Sequence, residues 1–335
     1  MNRIHRLLPL VLVAAVLPAA CGSSSVSKGP VTITLVAYDS FPTKDSGVNT
    51  ALAEFTAQSG ITVNIVTAGD AGTMVTKAAL TAGTPEGDVM WGVDNTLLSA
   101  ATDGKVFDGE PTEVDHGDVC VNYDIAWFTK HQLQPPTSLD DLVKPEYKNL
   151  LVVEDASASS TGLAFLLGTI ASKGDQWPAY WRALRANGVE VSDSWDTAYY
   201  QRFSGAAGSK GEKPLVVSYA SSPPAEVVFA NPPRTDAPTG VSTDTCFRQI
   251  EYAGVLRGTT HADAAKQLVS FFRSDRFQRE LPLSLFVNPV DPKTSLPDAF
   301  VKYGVVPTSP FTMEPATIAK NRSAWQEQWH QIVVA

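Results

Sequence analysis

The feature that most limits the fold is an alternation of short β-branched apolar runs with stretches of helical periodicity. Val31–Ala37, VTITLVA, reads as a buried strand. The stretch behind it places Val48, Ala51, Leu52 and Phe55 on one helical face and closes at Gly60. Residues 61–66 read as a second strand, 74–80 as a second helix and 88–93 as a third strand. Leu97, Leu98 and Ala101 open a third helix. Strands alternating with helices predict parallel sheet covered by helices. In such sheets ligands sit beyond the carboxyl ends of the strands. The turns at that rim are Tyr38-Asp39-Ser40-Phe41, Asp70-Ala71-Gly72 and Asp94-Asn95. Helix capping is the competing role for each of their aspartates.

The pattern then repeats. Residues 119–123, 150–153, 189–191 and 215–218 read as strands, and 139–143, 195–203 and 225–229 as helices. A longer helix begins at Gly162. Residues 246–256 form a long extended run, and 264–272 and 275–281 are amphipathic helices. A last helix from Thr317 places Trp325 and Trp329 four apart, a spacing read as lobe packing, with a binding cage as the alternative. Extended crossings near 119–123 and 245–252 would join two α/β units, which predicts two hinged lobes with a ligand cleft between them. The expected boundaries are 31–118 plus 250–335 for one lobe and 119–249 for the other.

The N-terminus reads as an export signal over residues 1–20. Arg3 and Arg6 precede an apolar run of fourteen residues, 7–20, ending in Ala19-Ala20-Cys21. A spanning helix needs roughly 20 apolar residues. Cleavage before Cys21 with acylation of its thiol is expected, and a plain signal peptide cut nearby is the alternative. The Ser/Gly-rich segment 21–30 would be a flexible tether from the lipid.

With Cys21 acylated, Cys120 and Cys246 remain as a pair in an oxidising compartment. Both fall on the predicted crossings, so a disulfide would tie neighbouring hinge strands. It would add about 4–5 kcal/mol in the chain-entropy model. Two buried free thiols are the alternative. The five histidines include none spaced with a cysteine as in a zinc motif, so no metal site and no cofactor is expected. A net charge of −9 argues against a nucleic-acid partner, which requires concentrated Lys and Arg.

Four motifs occur in order: Tyr38-Asp39-Ser40-Phe41, Gly92-Val93-Asp94-Asn95-Thr96-Leu97-Leu98, Ser194-Trp195, and Ser218-Tyr219-Ala220-Ser221-Ser222-Pro223. Together they resemble the thiamine-binding periplasmic proteins, the solute receptors of thiamine ABC importers, over about residues 31–329. The resemblance implies an α/β, two-lobed, type II periplasmic-binding-protein-like fold with an interlobe ligand cleft. Implied partners are thiamine or a thiamine phosphate, an ABC permease and its ATPase, and a membrane through the lipid anchor. The receptor is expected to be monomeric and to catalyse nothing.

Position by position, the resemblance implies that Tyr38 lines the cleft and that Asp70 and Ala71 touch the ligand. It matches Ser159 and Ser160 to a Ser-Thr pair before a helix, Trp195 to a contacting tryptophan, and Tyr219, Ala220, Ser221 and Ser222 to a Tyr-Thr-Thr-Ser run. Asp94 lies in the second motif, and Phe286 stands where the family has a further tryptophan. Physical chemistry supports such roles. Trp195 and Tyr219 can stack on flat rings and attract a cation at about 0.5–2 kcal/mol per contact. Asp70 can accept from an amine or balance positive charge. The free N–H groups ahead of Gly162 favour a hydroxyl or phosphate. Core packing of Trp195 and capping by the serines are the structural alternatives.

The chain also departs from the family. Pro224 or Ala225 replaces a common tyrosine, Asp45 falls near an expected tryptophan, and His116 replaces a tyrosine after Asp115. Fewer aromatic partners bear on ligand identity, not on fold. Two rival functions follow from other residues. Adjacent Tyr199 and Tyr200, with Asp196, offer the hard oxygen ligands of a ferric-ion receptor. An enzyme acting on a small heterocycle would need a nucleophile or an acid–base pair. For that role Glu154 and Asp155 are poorly suited, because strand neighbours face opposite sides.

Overall fold

The protein is described by a computed structural model covering residues 31–232 and 234–333. The expected export signal, the expected tether and Cys21 lie outside the described residues. Among the described residues, nine strands form one sheet: β1 (Val31–Ala37), β2 (Ile61–Thr67), β3 (Val89–Asp94), β4 (Thr112–Asp124), β5 (Leu151–Glu154), β6 (Glu190–Ser192), β7 (Leu215–Tyr219), β8 (Thr239–Val255) and β9 (Asn288–Pro289). Their order is β2-β1-β3-β8-β4-β7-β5-β6, with β9 paired to β4.

Two parallel groups lie at the ends of this sheet. β1 runs parallel to β2 and β3, and β5 runs parallel to β6 and β7. The long strands β4 and β8 join them, antiparallel to each other and to their neighbours. Each parallel group is an α/β unit, so the molecule is two-lobed, with the carboxyl rims of both groups bordering one cleft.

Helices cover the first group as its apolar periodicity requires. Gly47–Ser59 buries Val48, Ala51, Leu52 and Phe55. The helix Ala262–Phe272 follows the same logic and buries Ala265, Leu268 and Phe272. These side chains pack with Ile33, Leu35 and Trp91 of β1 and β3. Ser46 caps the first of these helices in a reciprocal box with Asn49, and Gly60 ends it at φ 73°. On the opposite face, Met74 and Val75 of the helix Ala71–Leu80 meet Met90 and Val93. The helix Ser160–Lys173, buried from Thr161 to Ile170, fills the core of the second group.

Two local expectations need correction. Residues 275–281 do not make one helix; they divide into Asp275–Gln278 and a second short helix, Leu281–Leu285, with Pro282 in its first turn. The helix Trp177–Ala186 is additional and buries Trp177, Tyr180, Trp181 and Leu184. The C-terminal helix Pro315–Val333 packs on it through Trp329, whose ring meets Trp181 edge-on at 5.5 Å, and also on Leu98–Asp103. It therefore touches elements on both sides of the crossing strands.

Cys120 and Cys246 are joined in a disulfide with a Cα–Cα distance of 4.1 Å. The bridge sits where the β4–β8 ladder changes register, between Val119↔Phe247 and Val121↔Ser242. The extra residues on β8 form a bulge. Thr245 satisfies it: its hydroxyl accepts from Val121 N at 2.8 Å and donates to Ser242 O at 2.7 Å.

Candidate ligand-binding cleft

A cavity of about 540 Å³ opens between the two carboxyl rims. Tyr38 enters from the end of β1, Asp70 and Ala71 from the turn after β2. From the other side come Ser159 and Ser160 after β5, Trp195 after β6, and Tyr219 with Ser222 at the end of β7. Phe286 closes it from the short helix Leu281–Leu285. The structure thus brings nine of the residues singled out in the sequence to one cavity: Tyr38, Asp70, Ala71, Ser159, Ser160, Trp195, Tyr219, Ser222 and Phe286.

Three others lie off its walls. Asp94 is fully buried and caps the turn that follows it, accepting from Thr96 N at 2.9 Å, Thr96 Oγ1 at 2.6 Å and Leu97 N at 3.0 Å. Its other oxygen takes the Gln249 amide. The capping alternative describes this aspartate. Ala220 packs beside the disulfide, and the Ser221 hydroxyl donates to the carbonyl of Phe286. Ser221 therefore fixes a wall residue instead of facing the cavity.

Asp70 is the N-terminal flanking residue of the helix Ala71–Leu80, yet its side chain makes no capping bond. One carboxylate oxygen is buried without a partner. Burial pushes its pKa up to about 6, against the lowering pull of the Ser159 hydroxyl and the Trp195 backbone. The two sides of the cleft touch directly here, because Gly72 N donates to Ala158 O at 3.2 Å. Ahead of Ser159, at the end of β5, Glu154 is buried, and burial raises its pKa well above the usual carboxylate range.

Trp195 is held in place from two directions. Its Nε1 donates to Ser218 Oγ at 3.0 Å, and its ring stacks on Tyr199 at 5.0 Å and 14°. Tyr219 lies beyond, with ring centroids 6.4 Å apart. Phe286 has φ 57°, a left-handed conformation rare for a bulky residue, and its ring meets Phe229 edge-on at 5.5 Å. Such backbone strain concentrates at ligand sites.

Several lining residues were not read from the sequence, among them Glu226, Phe229 and Glu251. Each is a single side chain in an otherwise ordinary helix or strand, and only Glu251, an acid inside an apolar extended run, carried a local signal. Charge is uneven around the cavity. Among the described residues that line it, Asp45, Asp70, Asp196, Glu226 and Glu251 stand against Lys44, and Arg234 adds its charge near Glu226 from outside the lining. The wall is built to receive positive charge.

The adjacent tyrosines and Asp196 all line this cavity, with the two rings 5.3 Å apart. Tyr199 is buried and donates to Glu226 Oε1 at 2.9 Å, while Tyr200 is half exposed, its ring turned 85° from its neighbour's. Burial raises the pKa of both, that of Tyr200 to about 12.

A sequence profile described as bacterial extracellular solute-binding protein matches residues 94–304. The chain belongs to this family. This solute-binding protein is 28% identical to the thiamine-binding periplasmic protein of Salmonella typhimurium, over 98% of its own chain and 99% of the relative's. It is 26% identical to the Escherichia coli protein of that name, covering 90% and 93% of the two chains. Among solved structures, a periplasmic thiamin binding protein superposes with a TM-score of 0.77 at 25% identity, over 90% of this chain and 96% of that one. A ferric binding protein from Campylobacter jejuni, 15% identical with a TM-score of 0.67 over 90% and 99%, shares the fold.

Proposed function

We propose that the protein is the substrate-binding receptor of an ABC importer and that its ligand is thiamine or a thiamine phosphate. The observation that carries this reading is the composition of the cleft: five carboxylates against one lysine, beside the rings of Tyr38, Trp195 and Tyr219. A flat cation suits such walls through stacking, cation–π attraction at about 0.5–2 kcal/mol per contact and charge balance. The names borne by its relatives, thiamine-binding periplasmic proteins at 26–28% identity, point to the same ligand.

In this reading the lobes are 31–118 plus 250–335 and 119–249, hinged where Cys120 meets Cys246. Ligand held between them gains contacts from both and so favours the closed state by its differential affinity. Asp70 faces the aminopyrimidine or the thiazolium, Trp195 and Tyr219 stack, and the helix start at Ser159 and Ser160 receives the hydroxyethyl arm or its phosphate. The closed form docks on a permease whose ATPase drives release; the receptor is a monomer, performs no catalysis, and is exported and held to the membrane by lipid on Cys21. Among the described residues no helix is long and apolar enough to cross a membrane.

Titration calorimetry with thiamine, its monophosphate and its diphosphate tests the ligand. Saturable binding of at least one, at micromolar concentration or below, is expected. No heat from any of them at high micromolar concentration sinks the assignment.

A further inference from the structure

Two acids absent from the sequence reading of the site meet at the floor of the cleft. Asp115 on β4 and Glu251 on β8 are direct cross-strand partners. Asp115 is fully buried, and among the described residues no donor gives a hydrogen bond to either of its oxygens. Glu251 is 5% exposed and borders the cavity. Its Oε2 accepts from Trp91 Nε1 at 3.2 Å and from the Tyr38 hydroxyl at 3.5 Å.

Among the described residues around the pair, none supplies a compensating cation. β3 contributes Asp94, β4 contributes Glu113, and the phenols of Tyr38 and Tyr219 face it from the ends of β1 and β7. Asn288 and Pro289 of β9, paired beside Asp115, do not titrate. Arg248, on the same strand as Glu251, is bonded to Asp118, and burial together with Arg248 lowers the pKa of His116.

Two ionised carboxylates facing each other away from water repel, and each loses hydration. A proton shared between them removes one charge and gives the orphaned Asp115 oxygens a hydrogen-bond partner. A cation seated against Glu251 supplies the same charge by another route, so proton and ligand compete.

We infer that Asp115 and Glu251 hold one proton between them in the empty cleft and release it to solvent when a cationic ligand binds against Glu251. The inference rests on the proposed function for the identity of the cation. Burial raises both carboxyl groups, Glu251 up to about 7; the charge of Glu251 further opposes ionisation of Asp115, while Asp94 raises Glu251 and the hydrogen bond with Asp115 lowers it, so the two acids titrate as a pair. The exchange therefore falls near neutral pH. Binding that releases a proton strengthens as pH rises toward that value and levels off above it.

Calorimetric titration with thiamine at about pH 6, in two buffers of different ionisation enthalpy, counts the protons released. Most of one proton is expected from the wild type and a clearly smaller count from Glu251→Gln; Asp70→Asn separates any share belonging to Asp70. Thiamine affinity of the wild type is expected to fall about fivefold from pH 7 to pH 6, and less in Glu251→Gln. Infrared spectroscopy of the ligand-free protein reads protonated carboxyl groups directly. The wild type is expected to carry one more than Asp115→Asn or Glu251→Gln at about pH 6, and to lose it when thiamine is added. Binding without proton release, or equal carboxyl band areas in all three proteins, overturns the inference. If thiamine does not bind, the proposed ligand fails while the band areas alone decide the shared proton.

Discussion

The ring of Tyr38 rests against Gly92: a Cβ at position 92 would lie 2.3 Å from Tyr38 Cδ1. Gly92 also has φ 100°, a conformation that L side chains rarely adopt. The end of β3 is thus shaped to seat a residue of the cleft wall. Gly92→Ala is expected to destabilise the protein by about 1–3 kcal/mol through backbone strain and to push Tyr38 out of place. Denaturant unfolding and thiamine titration check it; unchanged affinity would remove Tyr38 from the binding surface.

Gly72 makes a similar demand across the cleft. A Cβ there would meet Ala158 O at 2.7 Å, and Gly72 N already donates to that oxygen. Because the two segments belong to opposite sides of the cavity, Gly72→Ala is expected to hinder their approach. Thiamine affinity should fall about tenfold, equivalent to about 1.4 kcal/mol, with the melting temperature of the ligand-free protein little changed. Full affinity would mean that the two segments do not press together in the bound state.

Trp195→Ala removes both the stacking surface and the bond to Ser218. Thiamine binding is expected to weaken at least about tenfold, the scale of one cation–π or stacking contact in a desolvated site. Trp195→Phe keeps a ring and should recover part of the loss. Equal losses in the two variants would point to the Ser218 bond instead.

The acids of the cleft give stability a definite pH dependence. Asp70 and Glu251 have folded-state pKa values raised to about 6 and about 7 by burial. The folded protein therefore holds protons that the unfolded chain has already released above about pH 4. Their contribution is complete at low pH and is lost as pH rises through these values. The ligand-free melting temperature is expected to fall from about pH 5 to about pH 8, and to fall less in Glu251→Gln. A flat or rising profile contradicts it.

The Cys120–Cys246 bridge closes a long loop, with a sequence separation of 126. Replacing both cysteines by serine is expected to cost about 4–5 kcal/mol in the chain-entropy model. Denaturant unfolding measures it.

Where the fold was legible, the signal was local. The helix Gly47–Ser59 was marked by its apolar spacing and by Gly60, and the strand β1 by its β-branched run. The crossings could be placed because β8 is one long extended stretch. The helix Trp177–Ala186 was not read, although Trp177, Tyr180, Trp181 and Leu184 follow helical spacing; Pro178 reads as a breaker, yet in a first turn it is tolerated. In the site, the turns carrying Tyr38 and Asp70 were reachable because the rim of a parallel sheet is predictable from order, whereas Ser159, Ser160, Trp195, Tyr219 and Phe286 were reached through the resemblance to thiamine-binding periplasmic proteins. Asp94 stands at the same kind of turn and is consumed by capping, a distinction made by side-chain direction. Glu251 needed more, since its meaning depends on standing opposite Asp115, and cross-strand register is not written in either segment.

The bond between Cys120 and Cys246 lies at the junction of the two long strands, at the step in their pairing. Strands welded there cannot slide along one another. In the proposed hinged receptor, opening of the mouth would be left to rotation about that fulcrum, and the walls would part while Asp115 and Glu251 stay face to face beneath them.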